Sequence, residues 1–257
     1  MATAPQINQL PLFYNDMVPL NKGQHGAWRT RTTDKAPWLA GQHAVPLTVE
    51  EFPVAQRYFP IVFSSGEQAV PLALMGLNEG VNVFVQDDGT VDPGIYVPAY
   101  ARRYPFMLAR MRTDSEELTL CFDPSTDLIG GFDDGIALFD GDEPSEATNA
   151  TLKFCEQFEI AGQKTAAFAE ELDKHGLLID GQLTVGLPDS DEPFVYRGFR
   201  MVDEAKLKEI RGDVLRGWAQ SGLLPLVYAH LHSLEIAREI FARQHAMGKV
   251  PLPQPAA

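Results

Sequence analysis

The sequence predicts an α+β fold: an antiparallel sheet meander with C-terminal helices packed on it. Apolar runs of strand length follow one another between residues 58 and 123. No helical crossover separates them, so they read as antiparallel neighbours and not as a βαβ succession. Beyond Ser145 the apolar spacing changes to that of helices, and the chain stays mostly helical to its end. With 257 residues, 45% of them hydrophobic and 22% charged, the chain can bury a core. About 250 residues can still form a single unit, so residues 1–257 are taken as one domain.

Residues 1–44, rich in Pro, Gly, Asn and Gln with Trp28 and Trp38 as anchors, read as an irregular N-terminal wrap. Thr48-Val-Glu-Glu51 matches a capping box and opens a short helix, which Pro53 forces to be irregular or to begin late. Four strand-like runs follow: Tyr58 to Ser64, Ala69 to Leu77, Asn82 to Gln86 and Phe106 to Thr113. Asp88-Gly89 marks a tight turn after the third. Glu117 to Asp123 pairs with Phe106 to Thr113 across Asp114-Ser115, and Asp127 to Gly135 is a loop. A helix from Ser145 to His175 buries Leu152, Cys155, Phe158, Phe168 and Leu172, and Gly176 stops it. Two strand-like runs come next, Leu177 to Leu187 with a turn at Asp180-Gly181, then Phe194 to Val202. Asp203 caps a helix to about Gln220 that ends at Ser221-Gly222. The last helix runs from Leu223 to Ala246 with Pro225 in its first turn, where proline is tolerated. Residues 248–257 form an extended tail.

The charge is uneven. The net charge is −14, yet the window between Arg112 and Lys153 holds no basic residue and eleven acids, from Asp114 to Glu146. The remainder is close to neutral. No basic face is available for a polyanion, so nucleic acid is not an expected partner. No window reaches the roughly 20 apolar residues that span a bilayer, so no membrane insertion is expected. The N-terminus lacks the basic and apolar regions of a signal peptide, and the expected location is cytoplasmic. Cys121 and Cys155 are too few for a disulfide framework or a structural zinc site, and both read as buried apolar side chains.

Motifs for chemistry are sparse. His230 and His232 lie about 200° apart on a helical wheel, so they do not share one metal. His230 falls on the apolar stripe with Leu226, Val227 and Leu234 and reads as a hydrogen-bonded core histidine. The acidic loop lacks the alternating ligands of a calcium loop, and no metal is expected. Neither phosphate-cradling glycine loop occurs, nor a nucleophile elbow, so no cofactor is expected and no catalytic residue is assigned.

The most distinctive stretch is Tyr96-Val-Pro-Ala-Tyr-Ala-Arg-Arg-Tyr-Pro-Phe106. Pro98 suits the start of a short helix and Pro105 its end, which sets Tyr100 and Tyr104 one turn apart. Arg102 and Arg103 sit between the rings. Phenol rings give rigid contact area and guanidinium groups grip carboxylate or phosphate through two bonds. Tyr96, Tyr100, Arg102, Arg103 and Tyr104 are therefore the candidate site for a protein or small anionic ligand. The alternative is a structural corner, with the tyrosines packed on the sheet and the arginines paired to the acidic window.

That stretch also resembles the SapC family of bacterial proteins. So do Phe199-Arg-Met-Val-Asp-Glu-Ala-Lys-Leu207 and Ser221-Gly-Leu-Leu-Pro-Leu-Val-Tyr-Ala-His-Leu-His-Ser-Leu234, together with Tyr14, Pro19-Leu20 and the segment around Phe63. The resemblance implies a setting in surface-layer protein production or beside TonB-dependent receptors, and it carries over no catalytic residue. The resulting expectation is a non-catalytic binding or accessory protein of such a system. The alternative is an enzyme acting on a peptide, sugar or small metabolite of it.

Overall fold

A computed structural model describes residues 10–111, 117–187 and 190–249. The expected turn at Asp114-Ser115, the end of the run at Arg112 and Thr113, and the tail from residue 250 lie outside the described residues. The fold is α+β, with antiparallel sheets and a helical C-terminal part. The chain divides into two compact units, each discontinuous: residues 1–35 with 100–160, and residues 36–99 with 161–257.

The first unit is built on a three-stranded antiparallel sheet. Phe106–Arg110 pairs with Leu118–Phe122, a pairing the sequence predicts, and the observed register sets Met107 opposite Cys121; Val18–Pro19 pairs with the far side of Leu118–Phe122. The side chains alternate between two buried faces. Phe106, Leu108, Leu120 and Phe122 pack with Ile129, Leu138 and Cys155, while Met107, Ala109 and Cys121 pack with Tyr14. Burial on both faces explains why this run reads as continuously apolar. It also pushes both cysteine thiols up to about 11, so they stay protonated and inert. The segment expected to be irregular supplies short strands instead. Arg29–Thr30 lies between Ile129–Gly130 and Ile136–Ala137 in a second small sheet, so part of the presumed acidic loop is also paired.

The second unit carries a five-stranded antiparallel sheet in the order Leu178–Asp180, Arg200–Val202, Ile61–Phe63, Pro71–Leu74, Ala44–Pro46. Ile61–Phe63, near its centre, is wholly buried. The strands expected as one meander thus fall into separate sheets. Asn82 to Gln86 is not a strand. Asn82 Nδ2 donates to the carbonyls of Leu39 and Gln42 and its Oδ1 accepts from Phe84 N, so the side chain competes with a ladder and leaves one bridge, Val85 to Val91. The run from Leu177 to Leu187 is likewise two strands. Leu178–Asp180 pairs with Arg200–Val202, whereas Leu183–Leu187 pairs with Ser190–Tyr196.

The helices follow the sequence with local breaks. Glu146–Lys174 is one helix of 29 residues, with Ser145 Oγ accepting from Thr148 N at its start and Gly176 at φ +63° just past its end. Asp203 caps Glu204–Glu209 by accepting from the amides of Ala205 and Lys206. The chain then extends at Ile210 and restarts as Gly212–Ser221. Gly222, at φ +81°, turns the chain into Leu223–Ser233. A Gly222→Ala variant is expected to lose about 1 kcal/mol of stability, read as a shift of the urea midpoint, because a side chain disfavours that left-handed backbone.

Leu223–Ser233 closes a gap in the sheet. Arg200–Val202 and Ile61–Phe63 share only the register pair Arg200 to Phe63. Where their ladder stops, His230 enters. Its Nδ1 donates to Ile61 O at 2.7 Å and its Nε2 accepts from Val202 N at 3.0 Å, which fixes the neutral Nδ1–H tautomer. Ser233 Oγ accepts from Ile61 N at 2.8 Å and donates to His230 O at 2.6 Å. That second bond engages a carbonyl the helix would use, and the chain tightens into a 3₁₀ turn at Leu234–Ile236 before continuing as Ala237–Ala246. Among the described residues, no helix is long and apolar enough to cross a membrane.

Candidate functional site in the tyrosine and arginine segment

The segment begins on a buried carboxylate. Glu51 is 5% exposed and its Oε2 accepts from Thr48 N at 2.8 Å and from Thr48 Oγ1 at 3.0 Å, the expected cap. Its Oε1 reaches further. It accepts the Tyr96 hydroxyl at 2.9 Å and Ala99 N at 2.7 Å. Tyr96 therefore spends its polar end on Glu51, within the second unit, and the Pro98 neighbourhood is pinned at the point where the helix Ala99–Arg102 starts. The capping pattern predicts the role of Glu51 at Thr48. No spacing links Glu51 to Tyr96, 45 residues away.

Tyr100, Arg102, Arg103 and Tyr104 belong to the first unit. Tyr100 is buried and its hydroxyl donates to Leu12 O at 3.3 Å. Its ring meets Phe13 edge-on at 5.5 Å, and the ring of Tyr104 meets Phe13 at 6.3 Å and Tyr14 at 5.2 Å. The one-turn spacing of Tyr100 and Tyr104 thus places both rings on Phe13, which holds the left-handed backbone at φ +81°. The Tyr14 hydroxyl donates to Phe106 O at 2.7 Å, and burial raises its pKa far above the usual phenol value against the opposing pull of Arg103. Burial raises the Tyr104 hydroxyl as well, with the Asp123 carboxylate adding to it.

Arg103 lies inside this ring cluster at 6% exposure. Its guanidinium carbon stands 4.4 Å from the ring centres of both Tyr100 and Phe158 and 5.9 Å from Tyr14. Such contacts favour a cation over the aromatic faces. Its ionic partner is Glu159, with Nη1 to Oε1 at 3.6 Å, too long for a hydrogen bond. Burial raises the Glu159 carboxyl, and Arg103 pulls it back down. Arg103 Nε is buried with no hydrogen-bond partner. Arg102, by contrast, is exposed and lies over Phe154 at 5.3 Å.

The acidic window does not supply the partner of Arg103. Asp134 takes Arg31 through Nε and Nη2, Asp142 pairs with Lys22, and the buried Asp123 accepts from the amides of Asn15 and Ser125. Phe158 and Glu159 come from the long helix, and the sequence offers no signal that they face Arg103. Among the described residues, no group of three or more His, Cys, Asp or Glu side chains is placed to hold a metal ion.

No curated protein and no solved structure matches this chain. The SapC family model matches residues 20–240, a span that takes in the tyrosine and arginine segment, Glu51, and the His230 and Ser233 pair, and the chain belongs to the SapC family.

Proposed function

We propose that this chain is a non-catalytic binding or accessory protein of a bacterial cell-surface, S-layer or TonB-linked uptake system. In this reading the Arg102-Arg103 segment takes an anionic group from a partner protein or a small ligand. The observation that carries it is the Nε–H of Arg103, buried among aromatic rings with no acceptor while Glu159 stands off at 3.6 Å. A buried donor left open costs about 1–3 kcal/mol, and a carboxylate or phosphate oxygen recovers that cost with a charge-assisted bond. Arg102 adds an exposed guanidinium beside it in sequence. Tyr96 is outside this proposal, since Glu51 already engages its hydroxyl.

Calorimetric titration with succinate and with inorganic phosphate tests the binding claim. Arg102→Glu is expected to weaken whichever anion binds by about tenfold or more, a loss of about 1.4 kcal/mol or more, at an unchanged melting temperature. Equal binding by the variant, or heat from neither anion, would overturn it. Family membership supports the cellular setting. Deleting the gene and assaying surface-layer secretion and TonB-dependent uptake tests that part, and an unchanged phenotype in both would count against it.

A further inference from the structure

The structure points to a second binding surface of opposite charge preference. We propose that the groove beside the strand Ile136–Ala137 receives an extended, basic peptide segment with alternating aliphatic residues, contributed by a different protein. This inference is independent of anion binding at Arg102 and Arg103.

The groove is an open concavity of about 550 Å³, lined by Ile136, Ala137, Phe139, Asp140, Glu146 and Ala150 among others. Ile136 is 46% exposed, a large aliphatic side chain left in water at the groove wall. Ile136–Ala137 is also the outer strand of its sheet, in the order Ile129–Gly130, Arg29–Thr30, Ile136–Ala137. The register is Thr30 to Ile136 and Arg29 to Ala137, and Leu138 N donates to Trp28 O at 3.0 Å. Antiparallel ladders alternate, so Ile136 turns its backbone groups and Leu138 its N–H toward Arg29–Thr30, while Leu138 O accepts from Ser145 N and Thr148 Oγ1. Ala137 turns its N–H and C=O the other way. An extended peptide can add to that edge, with every second side chain entering the apolar groove.

Charge selects the occupant. Asp140 and Glu146 line the groove and Glu143 pairs across the hairpin from Asp140; all three are exposed and have no ion pair among the described residues. The amino end of the helix Glu146–Lys174 brings a partial positive charge that Glu146 already answers. A second copy of this chain would bring a net charge of −14 to an acidic rim. Residues 1–9 and 250–257 contain no Lys or Arg. A lysine- or arginine-bearing segment of another protein is the complement that remains.

Fluorescence anisotropy with labelled, acetylated hexapeptides tests this on the full chain: Lys-Val-Lys-Val-Lys-Val, its Lys-Ser counterpart and its Glu-Val counterpart. The Lys-Val peptide is expected to bind about tenfold or more tighter than either of the others and to weaken at about 0.5 M salt. Ala150→Arg, at an exposed helix position, fills the groove and offsets part of its negative charge. It is expected to reduce binding by about tenfold with an unchanged melting temperature. Equal binding of the Glu-Val or Lys-Ser peptide, no binding of Lys-Val, or indifference to Ala150→Arg would each overturn the proposal.

Discussion

Replacing His230 with alanine is expected to lower the free energy of unfolding by about 4 kcal/mol. Two buried backbone groups lose their only side-chain partner, Ile61 O and Val202 N, at the seam where two strands have a single register pair. Each orphaned group costs about 1–3 kcal/mol, and the cavity left by the ring adds to that. Urea unfolding checks the magnitude. The pH dependence checks the cause. Desolvation holds the His230 pKa down to about 4 in the folded protein, against an ordinary value of 6.5, with the bond to Ile61 O opposing it. Between those two values the unfolded chain binds a proton that the folded chain refuses. Stability from this group is therefore complete above about pH 6.5 and is lost as the pH falls toward 4, by about 3 kcal/mol in all. Burial also lowers His25 and His43, so the wild type carries further losses in the same direction. The test is the difference from His230→Gln, which cannot titrate. The variant's acid-side loss should be smaller by about 3 kcal/mol, whereas parallel curves would contradict a neutral, buried His230.

Glu51 carries the second large effect. Its two oxygens accept from Thr48 N, Thr48 Oγ1, the Tyr96 hydroxyl and Ala99 N, and the carboxylate is buried. Glu51→Ala leaves two buried amides and two hydroxyls without their acceptor, and about 4 kcal/mol of stability is expected to go. Glu51→Gln keeps the shape but sets an NH₂ group against two donors. The hydroxyls can rotate away; the amide of Thr48 or of Ala99 cannot. About half the alanine loss is expected, with a matching gain in hydrogen exchange at whichever amide is freed. A neutral Glu51→Gln would mean that the negative charge is not what holds the start of the Ala99–Arg102 helix.

Much of this architecture was legible in the residues. Asp203 and Gly222 mark helix ends that chemistry fixes locally, and the continuous apolar runs of Phe106–Arg110 and Leu118–Phe122 follow from a sheet buried on both faces. His230 was legible as a core histidine because it lies on an apolar stripe. What it bonds to was not, since Ile61 is 169 residues away. Asn82 misled for a local reason: its side chain makes the bonds a strand would have made. The units escaped because each is assembled from two separate stretches of chain, and no composition shift marks residue 35 or 160.

The candidate site divides along the same line. Tyr100 and Tyr104 fall on a common neighbour, as their spacing predicts. The expected pairing of Arg103 with the acidic window gives way to Glu159, which the long helix brings to Arg103, while the window's Asp134 and Asp142 pair with Arg31 and Lys22. Exposure also separates two adjacent arginines that sequence treats alike. Arg102 faces water, and Arg103 is caged.

Arg103 is where the binding proposal is most exposed to test. Its Nε–H gives a proton resonance that moves to lower field when the donor gains an acceptor, and ¹⁵N-labelled protein reports it directly. Titration with succinate or inorganic phosphate is expected to move the Arg103 Hε resonance progressively downfield in the wild type, and to move it much less in Arg102→Glu. A resonance that stays in place through both titrations would contradict anion capture at Arg102 and Arg103 and leave Arg103 as a structural cation of the ring cluster.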